Sequence, residues 1–130
     1  MADDTIDASD LVKAIRELDE IPERVKLNAH VVVETWAEKL RDRWRANARS
    51  TAGRHGKHYP DSITASSASA GVGDVEWEVG PESAQPQGGM GRGFEYGSVN
   101  QGPHHDGESA ARSIEPQFLK AVDEMLKRVL

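Results

Sequence analysis

The stretch PERVKLNAHVVVETWAEKLRDRWRANA, residues 22–48, decides the fold of this 130-residue chain. Its apolar residues recur every three or four positions and drift along one face: Val25, Ala29, Val32, Val33, Trp36, Leu40 and Trp44. This spacing predicts an amphipathic helix. Pro22 suits its first position, where proline's missing N–H leaves no hydrogen bond unmade. We predict one long helix over 22–49, and at about 1.5 Å per residue it spans roughly 40 Å, the width of such a domain.

The segment before the long helix, residues 1–21, is acidic and has an apolar stripe of its own. Leu11, Ile15 and Leu18 follow Ser9, a suitable N-cap residue. We therefore predict an additional N-terminal helix that ends at Pro22. The acidic start is unlike a secretory or transit peptide, and no segment approaches the roughly 20 apolar residues of a membrane span. We expect a soluble chain without a targeting segment.

Two short alternating segments follow the long helix, over residues 62–80. In the first, Ile63 and Ala65 alternate with small hydroxyl residues. In the second, acids alternate with three apolar residues, Val75, Trp77 and Val79. Because alternation of this kind is typical of half-buried antiparallel strands, and glycines separate the two segments, we predict a β-hairpin.

The rest of the chain divides into a loop and a last helix. Residues 81–107 are rich in Gly, Pro, Gln and Ser, which predicts a long loop used in assembly. Residues 108–130 regain helical spacing in Phe118, Val122, Met125, Leu126 and Val129. The predicted fold is a single α+β domain, in which the long helix and the C-terminal helix pack on one face of a short antiparallel sheet.

Charge and composition exclude several classes of protein. The net charge is −6, but it is divided into blocks of −5 over residues 1–20, +5 over 21–60 and −6 over 61–130. An acidic chain does not fit a dedicated nucleic-acid binder, which needs a strongly basic face. The absence of cysteine excludes disulfides, a thiolate zinc site and a cysteine nucleophile. With 37% hydrophobic residues the core is modest, so we expect assembly to supply further burial.

No set of residues in the sequence has the pattern of a catalytic site. The cluster that most resembles metal ligands comprises His55, His58, His104, His105 and Asp106. These residues lie in predicted loops without the helical spacing that fixes ligands, so we interpret the histidines as solvated. The glycines at 88–93 precede no lysine–hydroxyl pair, which a phosphate-binding loop requires. We expect neither an enzyme nor a cofactor, and metal-dependent hydrolysis ranks last among the functions considered.

A row of bases on the long helix has two interpretations. Its members are Lys39, Arg41, Arg43, Arg45 and Arg49. The row either forms a solvated, salt-bridged helix face, which is the commoner arrangement, or contacts nucleic acid. Trp36 and Trp44 fit a core or a subunit contact better than base stacking, because stacking residues usually lie on sheets or loops.

Four short motifs occur along the chain in an order that is typical of a known protein family. Tyr59-Pro60-Asp61-Ser62 enters the first strand, Val79-Gly80-Pro81 ends the second, Phe94-Glu95-Tyr96-Gly97 lies in the loop, and Ile114 to Leu119 lies in the last helix. In this order the chain resembles the small tail-component family of long-tailed double-stranded DNA bacteriophages. That family includes tail-completion proteins similar to lambda's minor tail protein Z.

The resemblance implies a structural protein of the virion that forms a ring, a hexamer, between the head connector and the tail tube. The implied partners are further copies of itself, the head connector or adaptor protein, and the tail terminator or tail tube protein. It implies at most passive contact with DNA in the channel, no membrane, and assembly in the host cytoplasm. A tail terminator or another neck ring component is the alternative within this class. A small nucleic-acid-binding regulatory protein that uses the basic 39–49 face is the alternative from another class.

For a ring subunit, the sequence suggests several interface residues. Phe94 and Tyr96 are candidate anchors in the loop, since aromatic residues dominate interface energetics, although both could equally dock onto their own domain. The remaining interface candidates are Trp77, Phe118, Arg41, Arg45 and Arg49.

Overall fold

Two long helices form the frame of the protein in the computed structural model, which describes residues 23–68, 75–98 and 102–130. Helix α1 comprises Glu23–Thr51, and helix α4 comprises Asp106–Val129. They run antiparallel, because Asn47 near the end of α1 donates to the carbonyl oxygen of Asp106, and Arg24 near its start donates to that of Val129. The predicted helices over 22–49 and 108–130 match these elements to within two residues at each end.

The other elements are short. After a 3₁₀ turn at Arg54–Gly56, the chain forms helix α2, Tyr59–Ser62, and strand β1, Ile63–Ser67. Strand β2, Trp77–Pro81, pairs with β1 in an antiparallel sheet whose register aligns Ile63 with Pro81 and Ser67 with Trp77. The α+β class and the antiparallel strand pair are therefore confirmed. The turn glycines Gly71 and Gly73 and the N-terminal helix predicted over 1–21 lie outside the described residues.

The expectation that both long helices cover the sheet needs correction. Helix α1 contacts both strands, whereas α4 packs mainly along α1. The reason is the indole of Trp44, which packs against the backbone of Gly80 in β2 and of Gly107 at the start of α4. A side chain of this size holds α4 away from the sheet and leaves a groove between them.

The core is small and centres on a stacked aromatic pair. The rings of Tyr59 and Phe94 lie 4.4 Å apart at an interplanar angle of 23°. Ala48 and Ile63 complete the buried cluster, and three half-buried side chains surround it: Trp44, Ala52 and Val79. A stacked pair of this kind contributes about 0.5–1.5 kcal/mol beyond the burial of its area. The core thus joins α1, α2, β1 and the segment after β2.

The prediction of an irregular loop over 81–107 is wrong for part of that range. The segment contains a 3₁₀ turn at Gly88–Met90 and helix α3, Gly91–Tyr96. Gly91 packs so closely on Pro81 that a Cβ there would clash with the proline ring, and Phe94 enters the core. Tertiary packing therefore imposes a helix on residues of low helix propensity. Within the described residues, no helix is long and apolar enough to cross a membrane.

Candidate functional site

Residues from three of the four motifs contact one another in a single cluster. Tyr59 stacks on Phe94, and Pro81 packs against Gly91, three residues before Phe94. The backbone N–H of Glu82, next to Pro81, donates to the carbonyl oxygen of Ser62 over 2.8 Å. The loop motif is therefore joined to the start of β1 and the end of β2, so the motifs have structural roles in one packed unit.

Glu95 connects this cluster to helix α4. The side chain is only 8% exposed, and its two oxygens accept hydrogen bonds from the backbone N–H groups of Gly107 at 2.8 Å and Glu108 at 3.0 Å. The first N–H groups of a helix have no partner within it, and a carboxylate there also interacts favourably with the helix dipole. Glu95 is thus a capping residue supplied from a distant part of the chain.

Asp106 ties the same helix end to α1. Its buried carboxylate accepts a 2.7 Å hydrogen bond from the hydroxyl of Thr51, while its carbonyl oxygen accepts one of 3.1 Å from Asn47. With Glu95, two carboxylates surround the beginning of α4. Sequence reasoning grouped Asp106 with the histidines and did not find Glu95 as a cap. Two acids in the sequence Asp106-Gly107-Glu108 are typical of a helix start, so the position of Asp106 at the beginning of α4 could have been predicted. No local sequence pattern indicates that Glu95 caps this helix.

Three buried polar atoms in this region have no hydrogen-bond partner within the described residues: Trp44 Nε1, Tyr59 Oη and His104 Nδ1. His104 Nδ1 lies 3.8 Å from Asp106 Oδ2, beyond hydrogen-bond distance. Burial raises the pKa of Tyr59 to about 12; the nearby N–H of Trp44, although it is not in hydrogen-bond geometry with the hydroxyl, opposes this shift, and the carboxylates of Glu95 and Asp106 add to it. The hydroxyl of Tyr59 is therefore neutral at ordinary pH and is not activated as a base or nucleophile.

The loop histidines do not form one site. The side chain of Gln87 spans the backbone of the first pair, accepting from the N–H of His58 and donating to the carbonyl oxygen of His55, both at 2.7 Å. In the second pair, His104 packs on Phe94, whereas His105 lies 3.3 Å from Glu108. Within residues 23–68, 75–98 and 102–130, no three His, Asp or Glu side chains are placed to hold a metal ion.

Much of the basic row on α1 is engaged within the molecule. The Nε of Arg45 donates to the carbonyl oxygen of Ile63 over 2.7 Å, so this side chain links α1 to β1. Arg41 pairs with Asp42 at 3.0 Å, and Arg49 pairs with Asp61 at 3.1 Å. Lys39 lies 5.2 Å above the ring of Trp36. These contacts agree with the salt-bridged helix face among the two interpretations of the row.

The aromatic interface candidates occupy different places. Phe94 is 3% exposed and belongs to the core of its own chain, whereas Tyr96, two residues later, is 69% exposed. Trp77 and Phe118 are half-buried, and both line the groove between β2 and α4. Phe94 therefore docks onto its own domain, whereas the interface role of Tyr96 stays a prediction.

The groove between β2 and α4 is an apolar concavity on the surface of the protein. It has a volume of about 330 Å³, near the lower end of the range of about 300–1,000 Å³ typical of ligand pockets. Its lining comes from α1, β2 and α4: Val33, Trp36, Ala37, Leu40, Trp77, Val79, Ala111, Ile114, Glu115 and Phe118. Val33, Trp36, Leu40 and Phe118 belong to the apolar stripes that predict the two long helices, and a stripe has the same spacing whether it faces a core or a groove.

The two buried carboxylates of this region have partners within the fold: Glu95 caps α4, and Asp106 accepts from the hydroxyl of Thr51. Comparison of the chain with protein-family models, with curated proteins and with solved structures finds no match.

Proposed function

We propose that this protein is a structural protein of a siphophage neck or tail, a tail-completion or head–tail joining protein that forms a ring between the head connector and the tail tube. The observation that carries the proposal is the convergence of the motif residues. Those of the hairpin and the loop pack together around Tyr59 and Phe94, and Glu95 joins them to the last helix. Three of the four motifs on which the resemblance depends therefore belong to one packed unit.

The surface of the molecule also supports a ring subunit. In a closed ring, each subunit presents two different patches that meet head to tail. This chain has an apolar groove at the middle of α1 and α4. It also has exposed apolar side chains at Met90 and Tyr96, the two ends of residues 90–96, which we call the α3 segment. Soluble monomers seldom group such features without a partner.

The alternative of a nucleic-acid-binding regulatory protein receives less support from these contacts. Arg45 is committed to Ile63, and Arg41 and Arg49 are paired with acids, so the row offers fewer free cations than its sequence suggests. A DNA shift assay separates the two functions. Retention that falls steeply with salt would favour the regulatory protein, whereas no retention at about 50 mM salt favours the virion protein.

The decisive experiment is deletion of the gene from the phage that carries it, followed by electron microscopy of the lysate. We expect filled heads and tails of normal length that do not join, and complementation by the wild-type gene should restore virions. Tails of uncontrolled length would identify a terminator instead. Normal virions after deletion would contradict a role in the neck.

A further inference from the structure

We propose that the α3 segment of one copy of this chain docks into the groove between β2 and α4 of the next copy, with Tyr96 as the apolar anchor and Arg92 opposite Glu115. The partner is thus a second copy of the same chain, joined head to tail. This inference deepens the proposed function and rests on it.

The groove has the chemistry of a receptor for an aromatic side chain. Its wall combines the two indoles of Trp36 and Trp77 with the ring of Phe118, and its exposed lining is mostly apolar. Aromatic pairs favour stacked or edge-to-face contacts, and an aromatic side chain buries about 150–250 Å² on docking. A single large side chain therefore gains more from this groove than a polar ligand would.

The α3 segment has the complementary chemistry. Tyr96 is 69% exposed and Met90 is 46% exposed, and the exposed Arg92 lies between them in sequence. Tyr, Met and Arg are enriched in the buried parts of protein interfaces. The segment is also held firmly, because Phe94 enters the core and Glu95 caps α4. A rigid anchor loses little conformational entropy on binding.

Opposite charges on the two surfaces also complement each other. Glu115 lies on the groove lining and is exposed, and Arg92 is exposed on the docking segment. Neither side chain has an ion-pair partner among the described residues. An acid at the edge of an apolar groove and a base beside an apolar anchor fit one another, and such pairs fix the register of an interface.

The two patches share no residue, which sets the type of assembly. One patch lies on α3, and the other is formed by the middle of α1, the middle of α4 and strand β2. A contact between different patches is heterologous, so repeated copies close into a ring or continue as a filament.

A charge-swap experiment on the full chain tests this contact, with self-association measured by sedimentation velocity over a range of concentrations. Arg92→Glu and Glu115→Arg each place like charges in the contact, so each should weaken self-association by about tenfold or more. The double variant should recover it. An equimolar mixture of the two single variants should also assemble, because each then meets the opposite charge on its neighbour.

The anchor is tested separately, with a matched control. Tyr96→Ala should reduce assembly by about tenfold or more, as expected for an aromatic residue at the centre of an interface. Leu27→Ala should leave assembly unchanged, because Leu27 is similarly exposed at 60% but lies near the start of α1, away from both patches. Circular dichroism should show the wild-type fold in both variants.

A wild-type chain that stays monomeric at its highest soluble concentration would overturn the inference. Assembly that survives both single charge reversals would do the same, as would a double variant and a mixture that fail to recover. A groove covered by the chain's own N-terminal segment would also overturn it. In that case Ile15→Asp, but not Ile6→Asp, would increase acrylamide quenching of tryptophan fluorescence in the monomer. The gene deletion tests the virion role independently, so failure of this contact and failure of the proposed function are distinguishable.

Discussion

At the scale of single residues, the cap that Glu95 provides to α4 should be a large contribution to stability. Glu95→Ala removes both acceptors and leaves the N–H groups of Gly107 and Glu108 unpaired in a buried place. Hydrogen bonds to charged groups contribute about 1.5–3 kcal/mol. We expect the free energy of unfolding to fall by about 2–3 kcal/mol, measured by urea denaturation.

Glu124→Ala is the control for this substitution. Glu124 is an exposed residue of α4, the helix that Glu95 caps. We expect its replacement to change stability by no more than about 0.5 kcal/mol. Glu95→Gln should fall between wild type and Glu95→Ala, because the amide keeps one acceptor oxygen and turns a donor toward the other N–H. Equal stability of Glu95→Ala and Glu124→Ala would contradict the cap.

Gly107 occupies a position that has no room for a side chain. A Cβ at this position would lie 2.5 Å from the indole of Trp44, so the indole or the helix must move. Gly107→Ala should therefore lower stability by about 1–3 kcal/mol, although alanine is the better helix former by about 1 kcal/mol. The measurement is thermal unfolding followed by circular dichroism.

Gly89 provides the matched glycine. A Cβ there meets nothing within 4 Å, so Gly89→Ala should unfold within a few degrees of wild type. A Gly107→Ala variant at least as stable as Gly89→Ala would show that Trp44 does not occupy the space beside Gly107.

At the scale of elements, the bond between Arg45 and Ile63 should hold α1 against the sheet. Arg45→Ala removes a charged donor from a half-buried carbonyl oxygen, so we expect a loss of about 1–3 kcal/mol in urea denaturation. Arg43→Ala changes the same residue type on an exposed position of the same helix and should cost less than about 0.5 kcal/mol. Similar losses in the two variants would argue against this link.

The elements predicted from the sequence are those whose signal is local. The apolar stripe of α1 and that of α4 each span several turns, and the alternation around Trp77 fits β2 to within two residues. Helix α3 has no such signal, because it contains two glycines and forms only when Phe94 reaches Tyr59 and Gly91 reaches Pro81. The sequence does not predict the groove for a related reason. The groove forms because Trp44 separates α4 from β2, and this depends on tertiary packing.

At the scale of the whole molecule, the buried hydroxyl of Tyr59 should make the fold sensitive to alkaline pH. Burial raises its pKa to about 12 in the folded chain, while tyrosine in an unfolded chain ionises near 10. Below pH 10 both states carry a neutral hydroxyl, and this contribution to stability is fully present. Between about pH 10 and 12 the unfolded chain loses its proton first, so the contribution is lost as pH rises through the folded pKa, at up to about 1.4 kcal/mol per pH unit.

Tyr59→Phe isolates this effect from the titration of other groups. The hydroxyl has no hydrogen-bond partner among the described residues, so its removal should change stability at pH 8 by less than about 1 kcal/mol while keeping the ring stacked on Phe94. Urea denaturation of both proteins from pH 8 to 11.5 should show wild type losing stability faster than Tyr59→Phe above pH 10. Parallel curves would mean that Tyr59 ionises equally in both states and that water reaches the centre of the core.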